Sequence, residues 1–250
     1  MNPLRSTGRL ICDQMVKFAP NVFLDSLRRN HYDFVVRDFN RAYFYDWKKA
    51  ALSKPMADFE DLAPLFSLNP MSRGIIRQDF DEAAALFKAV RSQPNPRGME
   101  IGRFNGGSTL LLAVAVGPQG RLLSIDIEPQ DDAALAAILE RAKLRDRVEL
   151  LVCDANKIER DEQYDFVFID GDHSYEGAKR DHNRWGRRAK PGGLIIHHDM
   201  ANSRQFSTQW DELARLRADI LSKQKEQVEL VEEVGSLSIF KKRNDSWTEI

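Results

Sequence analysis

The run Glu100-Ile101-Gly102-Arg103-Phe104-Asn105-Gly106-Gly107-Ser108-Thr109 decides the fold, because a short strand (Gly98–Gly102) passes through a glycine-containing turn into an apolar helical stretch, Ser108–Val116. Glycines in such a turn let a ligand approach the backbone, and the start of the following helix offers free N–H groups. A dinucleotide cradle of the form G-x-G-x-x-G needs glycine at position 104, where Phe stands, and no Gly-Lys-Ser/Thr follows. The turn therefore suits a nucleoside ligand better than a pyrophosphate.

Outward from this turn, apolar runs alternate with helical patterns, which is the sign of a parallel sheet covered on both faces. Further strands are expected over Arg121–Ile127, Val148–Asp154, Tyr164–Asp170 and Gly193–Asp199, with helices over Asp131–Lys143, Tyr175–Ala189 and Phe206–Ser222. Right-handed crossovers between such units give a doubly wound α/β sheet. The alternation ends at Gln227–Glu233 and Ser236–Lys241, which are separated only by Val234-Gly235 and so must pair antiparallel. Seven strands result: five parallel and a C-terminal hairpin.

Residues 1–80 read as a helical N-terminal cap on a sheet domain of residues 81–250. The cap is interrupted by Pro20, Pro55, Pro64 and Pro70 and is dense in aromatics (Tyr32, Phe34, Phe39, Tyr43, Phe44, Tyr45, Trp47). Those aromatics suit a lid, a homodimer contact or plain packing on the sheet equally well.

In a chain of 250 residues with 42% hydrophobic and 30% charged residues, a sizeable core is available. Lys plus Arg at 37 against Asp plus Glu at 38 leaves a formal charge of −1, so no global field attracts nucleic acid or an anionic membrane, and a nucleic-acid partner would need a local patch. Cys12 and Cys153 are too few for a disulfide framework, and Cys153 reads as a small core residue. No apolar run reaches membrane-spanning or signal-peptide length, and the expected location is the cytoplasm.

Three acids close successive strands along one edge: Asp126, with Glu128 two positions on, then Asp154, then Asp170. Ligands of doubly wound sheets bind at the carboxyl ends of the strands, where Asp126 suits ribose hydroxyls and Asp154 an adenine amino group. Each acid would serve equally as a helix cap. His173 follows Asp170 closely, and His197, His198 and Asp199 close the fifth strand. One of the alternating pair His197 and His198 faces the core, and His197 is read as that one; His182 is read as a surface residue.

Glu100–Thr109, Ser124–Pro129, Phe168–Gly177 (FIDGDHSYEG) and Lys190–Ile196 (KPGGLII) together resemble class I S-adenosylmethionine-dependent methyltransferases, over residues 75–243. The likeness is greatest to the bacterial small-molecule branch of cephalosporin-biosynthesis and macrolide-sugar O-methyltransferases, and catechol O-methyltransferase is more distant. It implies a Rossmann-like domain and transfer of a methyl group to a hydroxyl of a small molecule, a sugar or natural-product intermediate. Glu100 and Gly102 would border the methionine moiety, Asp126 the ribose, and Asp154 with Ala155 the adenine; Arg103, Phe104, Asn105, Ser108, Ile127, Asp170 and His173 complete the implied cofactor-binding set.

The same resemblance makes His173 the general base and Asp170 a catalytic residue and metal ligand, with Asp199 the second carboxylate for Mg²⁺ or Mn²⁺. Catechol-type enzymes place Asn after that second Asp, where Met200 stands, and macrolide-type enzymes place an acid before it, where His198 stands. His198 is the expected third ligand, Asn202 a substitute, and a metal-free site in which Asp199 orients His173 stays open. Two further readings compete with the enzyme: a nucleoside-binding regulatory module without turnover, and an NAD-dependent oxidoreductase, which Phe104 and the terminal hairpin disfavour.

Overall fold

Strands β1 (Arg97–Ile101), β2 (Arg121–Asp126), β3 (Val148–Val152), β4 (Tyr164–Ile169), β5 (Ala189–His197), β6 (Val228–Val234) and β7 (Leu237–Lys242) form one sheet in the order β3-β2-β1-β4-β5-β7-β6. The first five run parallel, and β7 inserts antiparallel between β5 and β6. This is the expected doubly wound sheet closed by a hairpin. The computed structural model describes residues 55–66, 75–129, 132–200 and 208–250, all within the unit Tyr45–Ile250. The aromatics expected in the cap between Tyr32 and Trp47, Cys12, and residues 201–207 with Asn202 lie outside the described residues.

Helices α1 (Phe80–Arg91), α2 (Gly107–Ala115), α3 (Asp132–Arg141), α4 (Tyr175–Asp181) and α5 (Thr208–Lys223) cover the sheet. Period-two alternation sorts the strands' side chains between two cores: Leu122, Phe166, Phe168 and Ile196 pack with α1, α2 and α3, whereas Leu123, Val167, Ile169 and Ile195 pack with α4 and α5. Every residue of α2 is buried, as its all-round apolar sequence requires. A 3₁₀ helix, Phe59–Leu65, adds Leu62 and Leu65 to the same core as α2. No described helix is long and apolar enough to cross a membrane.

Two elements depart from expectation. β5 starts at Ala189 rather than Gly193: Ala189 pairs with Tyr164, and the register then shifts so that Leu194 meets Phe166, which absorbs the Lys190–Gly193 turn into the strand. After α4 the helix does not continue uniformly to Ala189 but opens into a π-helical turn, His182–Gly186.

That turn corrects the reading of His182, which is fully buried rather than on the surface. It shares the sheet-facing stripe of Ala178, Asp181 and Trp185, the i, i+3, i+4, i+7 spacing of a helix face. His182 Nδ1 lies 2.9 Å from Nε2 of the buried His197, and its Nε2 lies 2.8 Å from Gln224 Oε1. The Gln224 amide nitrogen donates to the Thr248 carbonyl, which turns Oε1 toward His182. His182 Nε2 therefore donates to Gln224, and its Nδ1 accepts from His197. A pair bonded in this way is neutral, and burial pushes His182 down to about 4 and His197 well below its ordinary value.

The unfolded chain takes up protons near pH 6.5 that this pair refuses, so the pair's contribution to stability is intact above pH 6.5 and declines as pH falls toward 4. Asp181, raised by burial to about 6, works in the opposite sense and offsets part of the decline. Between pH 7 and pH 5 the His182→Gln variant should lose about 2 kcal/mol less unfolding free energy than the wild type, measured by urea denaturation. Equal losses would show that the native pair accepts protons freely.

Candidate functional site

The turn after β1 brings two strand ends into contact. Gly102 has φ +88°, and a Cβ there would lie 2.1 Å from the carbonyl oxygen of Asp170, so only glycine fits. Phe104 adopts a left-handed φ of 47° despite its side chain, with its N–H bonded to Asp126 Oδ2 at 2.7 Å. Asp126 Oδ1 accepts from the Glu128 N–H at 3.0 Å, so the carboxylate at the end of β2 ties the turn to its own strand. Phe104 (48% exposed) and Ile127 (68% exposed) stand open at this edge.

Two polar groups expected to meet a ligand are turned into the protein. Arg103 is 1% exposed: its guanidinium grips Asp132 at 3.0 and 2.8 Å and donates to the carbonyls of Ser124 and Leu151. It thereby joins the turn to β2, β3 and α3, and has no free fork to offer a cofactor. Glu100 is fully buried, with Oε2 accepting from the Thr109 and Ser124 hydroxyls at 2.6 Å each. Burial pushes its carboxyl up, against the pull of the Ser108, Ser124 and Thr109 hydroxyls, and Oε1 makes no hydrogen bond among the described residues. Asp154 caps the short 3₁₀ turn Ala155–Lys157 by accepting from the Asn156 N–H, which lowers its carboxyl; Ala155 and Ser108 are buried, and Asn105 is half-buried.

At the ends of β4 and β5 the acids and histidines converge. His173 Nε2 lies 3.4 Å from Asp170 Oδ1 and 3.8 Å from Asp199 Oδ2, while His198 Nδ1 lies 3.3 and 3.4 Å from the same two oxygens. Asp199 has a left-handed φ of 57°. The expectation named His198 as third ligand; the residues with donor atoms all within 4.8 Å of one another are Asp170, His173 and Asp199. His198 Nδ1 is no farther from the two carboxylates than His173 is, and its Nε2 bonds Glu82 Oε2 at 3.2 Å, so it bridges the pair to Glu82.

Glu82, Gln78 and Ser236 complete the cluster, and none was expected from the sequence. Gln78 donates to Asp170 Oδ2 at 3.3 Å. Glu82 Oε1 accepts from both the N–H and the hydroxyl of Ser236, and that hydroxyl lies 3.3 Å from Asp199 Oδ1. Glu82 is also the N3 residue of the capping box that opens at Asp79. Its one sequence signal is a carboxylate on the apolar face of α1, beside Leu86 and Val90; Ser236 carries none, because only the closed hairpin brings it near α1.

Hydrogen bonding to Asp170 raises His173 above its ordinary value. Burial pulls His198 down, but Asp170, Asp199 and Glu82 together raise it well above 6.5. Burial opposes ionisation of Asp170 and Glu82 as well, and the two imidazoles reverse that for Asp170 while His198 and Ser236 reverse it for Glu82. Asp170 and Glu82 are thus two carboxylates held ionised by positive charge placed among them.

Residues 99–200 match the model of a methyltransferase domain. The chain is 35% identical over 104 residues to a catechol O-methyltransferase of Mycobacterium tuberculosis, covering 40% of this chain and 46% of that one. It is 28% identical over 151 residues to caffeoyl-CoA O-methyltransferase 2 of Petunia hybrida, covering 57% and 59%. The chain thus spans about half the length of the curated relatives it matches. Among solved structures, the fold is similar to an O-methyltransferase from Bacillus cereus in complex with SAH (TM-score 0.51, 21% identity, 67% of this chain and 83% of that one). It is also similar to the O-methyltransferase TomG of Streptomyces achromogenes in complex with SAM (TM-score 0.51, 17% identity, 90% and 96%).

The Arg103–Asp132 pair is the joint on which the turn rests. Asp132→Asn leaves the guanidinium buried without its counter-charge and should cost about 2 kcal/mol, less than for a fully enclosed pair because Asp132 is partly exposed. The joint replacement Arg103→Met with Asp132→Leu should recover part of that loss in urea denaturation. An Asp132→Asn variant as stable as the wild type would show that the strand carbonyls alone hold Arg103.

Proposed function

From the resemblance to class I S-adenosylmethionine-dependent O-methyltransferases, which the domain match and the relatives bear out, we propose that this chain transfers a methyl group from S-adenosylmethionine to a hydroxyl of a small molecule, with a divalent cation at Asp170 and Asp199. The observation that carries this reading is the meeting of Asp170, His173 and Asp199 at the same sheet edge as the Gly102 turn and Asp126. A sulfonium already carries an activated methyl group, so the protein has to bind and orient two partners and handle one proton. Asp126 would hold the ribose, Asp154 and Ala155 the adenine, and the turn from Gly102 the methionine moiety. Glu100 Oε1, which makes no hydrogen bond among the described residues, adds a buried polar atom at the end of β1.

The donor set fits a hard cation: Asp170 and Asp199 supply two carboxylates that call for positive charge, with the His173 imidazole within 4.8 Å of both. When bound, Mg²⁺ or Mn²⁺ would supply that charge and lower the pKa of a hydroxyl placed beside it. His173, half-exposed at the rim, would then take the hydroxyl proton, and Asp170 would hold the imidazolium that forms. The names of the relatives agree with a hydroxyl acceptor and leave the choice between a sugar, a phenol and another natural-product intermediate to experiment. Against the reading of a regulatory module without turnover stands the acid–histidine cluster, since nucleoside binding alone needs no base.

Calorimetric titration of S-adenosylmethionine and S-adenosylhomocysteine, with and without Mg²⁺ or Mn²⁺ and with NAD as control, should show micromolar binding of both sulfur nucleosides and none of NAD. No binding under any condition would overturn the reading. Asp126→Ala should weaken cofactor binding by about 1 to 3 kcal/mol, for a charged acceptor lost. His173→Ala should abolish transfer while leaving cofactor affinity nearly unchanged; retained turnover would remove His173 from the mechanism.

A further inference from the structure

At the opposite edge of the sheet, where β1, β2, β3 and β4 begin, lies a cleft of about 810 Å³. Five arginines line it, namely Arg97, Arg121, Arg145, Arg147 and Arg160, against the carboxylates Asp146 and Glu149. In a chain of formal charge −1 this is a strong local excess. Two of the five are neutralised: Arg97 pairs with Glu162 at 3.0 Å and Arg160 with Glu149 at 2.7 Å. Arg121, Arg145 and Arg147 pair with no carboxylate among the described residues.

These three guanidiniums each donate to a single backbone carbonyl, of Gly120, Val148 and Ala113 respectively. Each has five N–H donors in a planar fork, so most of their donors have no protein acceptor among the described residues. Plain capping of the C-terminus of α2 accounts for Arg147 alone. It does not explain why Arg121, whose charge adds to burial and to Arg91 in disfavouring the charged form of Arg147, stands in the same concavity. Three arginines gathered with only the carboxylate of Asp146 left beside them lower their repulsion by taking up an anion, and guanidinium forks match phosphate oxygens bidentately. Leu122 and the buried Tyr164 also line the cleft, whose volume is that of a small-molecule site.

We propose that this cleft binds a compact small molecule carrying two or more phosphates, at a site separate from the strand ends that hold Asp126, Asp170 and Asp199. Inorganic tripolyphosphate is the probe. It should bind the purified chain with one-to-one stoichiometry in calorimetry and raise its melting temperature, and its affinity should fall between about 50 and about 200 mM salt. Arg121→Gln combined with Arg145→Gln should weaken it at least about tenfold, whereas Arg121→Lys with Arg145→Lys should retain part of the affinity. Arg243→Gln, in β7's extension beside Glu229, should change nothing.

ADP binding comparable to tripolyphosphate would identify a nucleotide as the source of the phosphates, and tripolyphosphate alone a free polyphosphate; either supports the site. The proposal is overturned by no binding at low salt, by binding that the double glutamine variant leaves intact, or by a short oligothymidylate that binds more tightly than tripolyphosphate. S-adenosylhomocysteine titration of the same variants reports folding and the other site, so failure here is distinguishable from failure of the methyltransferase reading.

Discussion

The contact of Gly102 with the carbonyl of Asp170 is the constraint from which the rest of the site follows. β1 and β4 are neighbours at the place where the strand order reverses, and their ends are bonded by the Asp170 N–H to the Ile101 carbonyl at 2.8 Å. A side chain at position 102 would push the two ends apart. With glycine there, the turn after β1 and the loop after β4 share one crevice, so a ligand bound against the first would lie beside Asp170 and His173 in the second.

Buried charge holds this arrangement. Arg103 sits inside the turn with Asp132 and two strand carbonyls, and Glu82 sits inside the cluster with His198 and Ser236. Both are expensive groups to desolvate, and every side-chain nitrogen of Arg103 and both carboxylate oxygens of Glu82 are hydrogen-bonded, which is the condition for their being tolerated. Their effect is geometric. Arg103 spans four elements from one side chain, and Glu82 joins the start of α1 to the hairpin turn, where Gly235, at φ +59°, leaves room for its carboxylate. Such networks fix side chains more tightly than apolar packing of equal area.

How much of this was legible in the sequence follows from the range of the interactions. The strands were readable because alternation and apolar runs are local signals, and the acids Asp126, Asp154, Asp170 and Asp199 stand out because each follows an apolar run that forms a strand. The start of β5 was missed by four residues, since a bulge against Tyr164 depends on a partner strand 25 positions away. His182 was misplaced although the spacing of Ala178, Asp181 and Trp185 points inward, because a histidine was weighed alone rather than with its stripe. Gln78, Glu82 and Ser236 were invisible for a different reason: Glu82 and Ser236 are 154 positions apart, and no pattern in either neighbourhood encodes their meeting.

Two strained residues show where the fold yields to the site. Phe104 and Asp199 both hold left-handed backbone, which disfavours any side chain, and both lie at the carboxyl edge of the sheet. Each persists because polar bonds overdetermine it: Asp126 takes the Phe104 N–H, while the Ser236 hydroxyl reaches Asp199 and the Ser236 carbonyl accepts from the next residue, Met200. The terminal hairpin is therefore more than an edge to the sheet. By inserting β7 beside β5 it delivers Ser236 to the end of that strand, holds Asp199 turned back toward Asp170, and so makes a pair of carboxylates out of residues that two straight strand ends would leave apart.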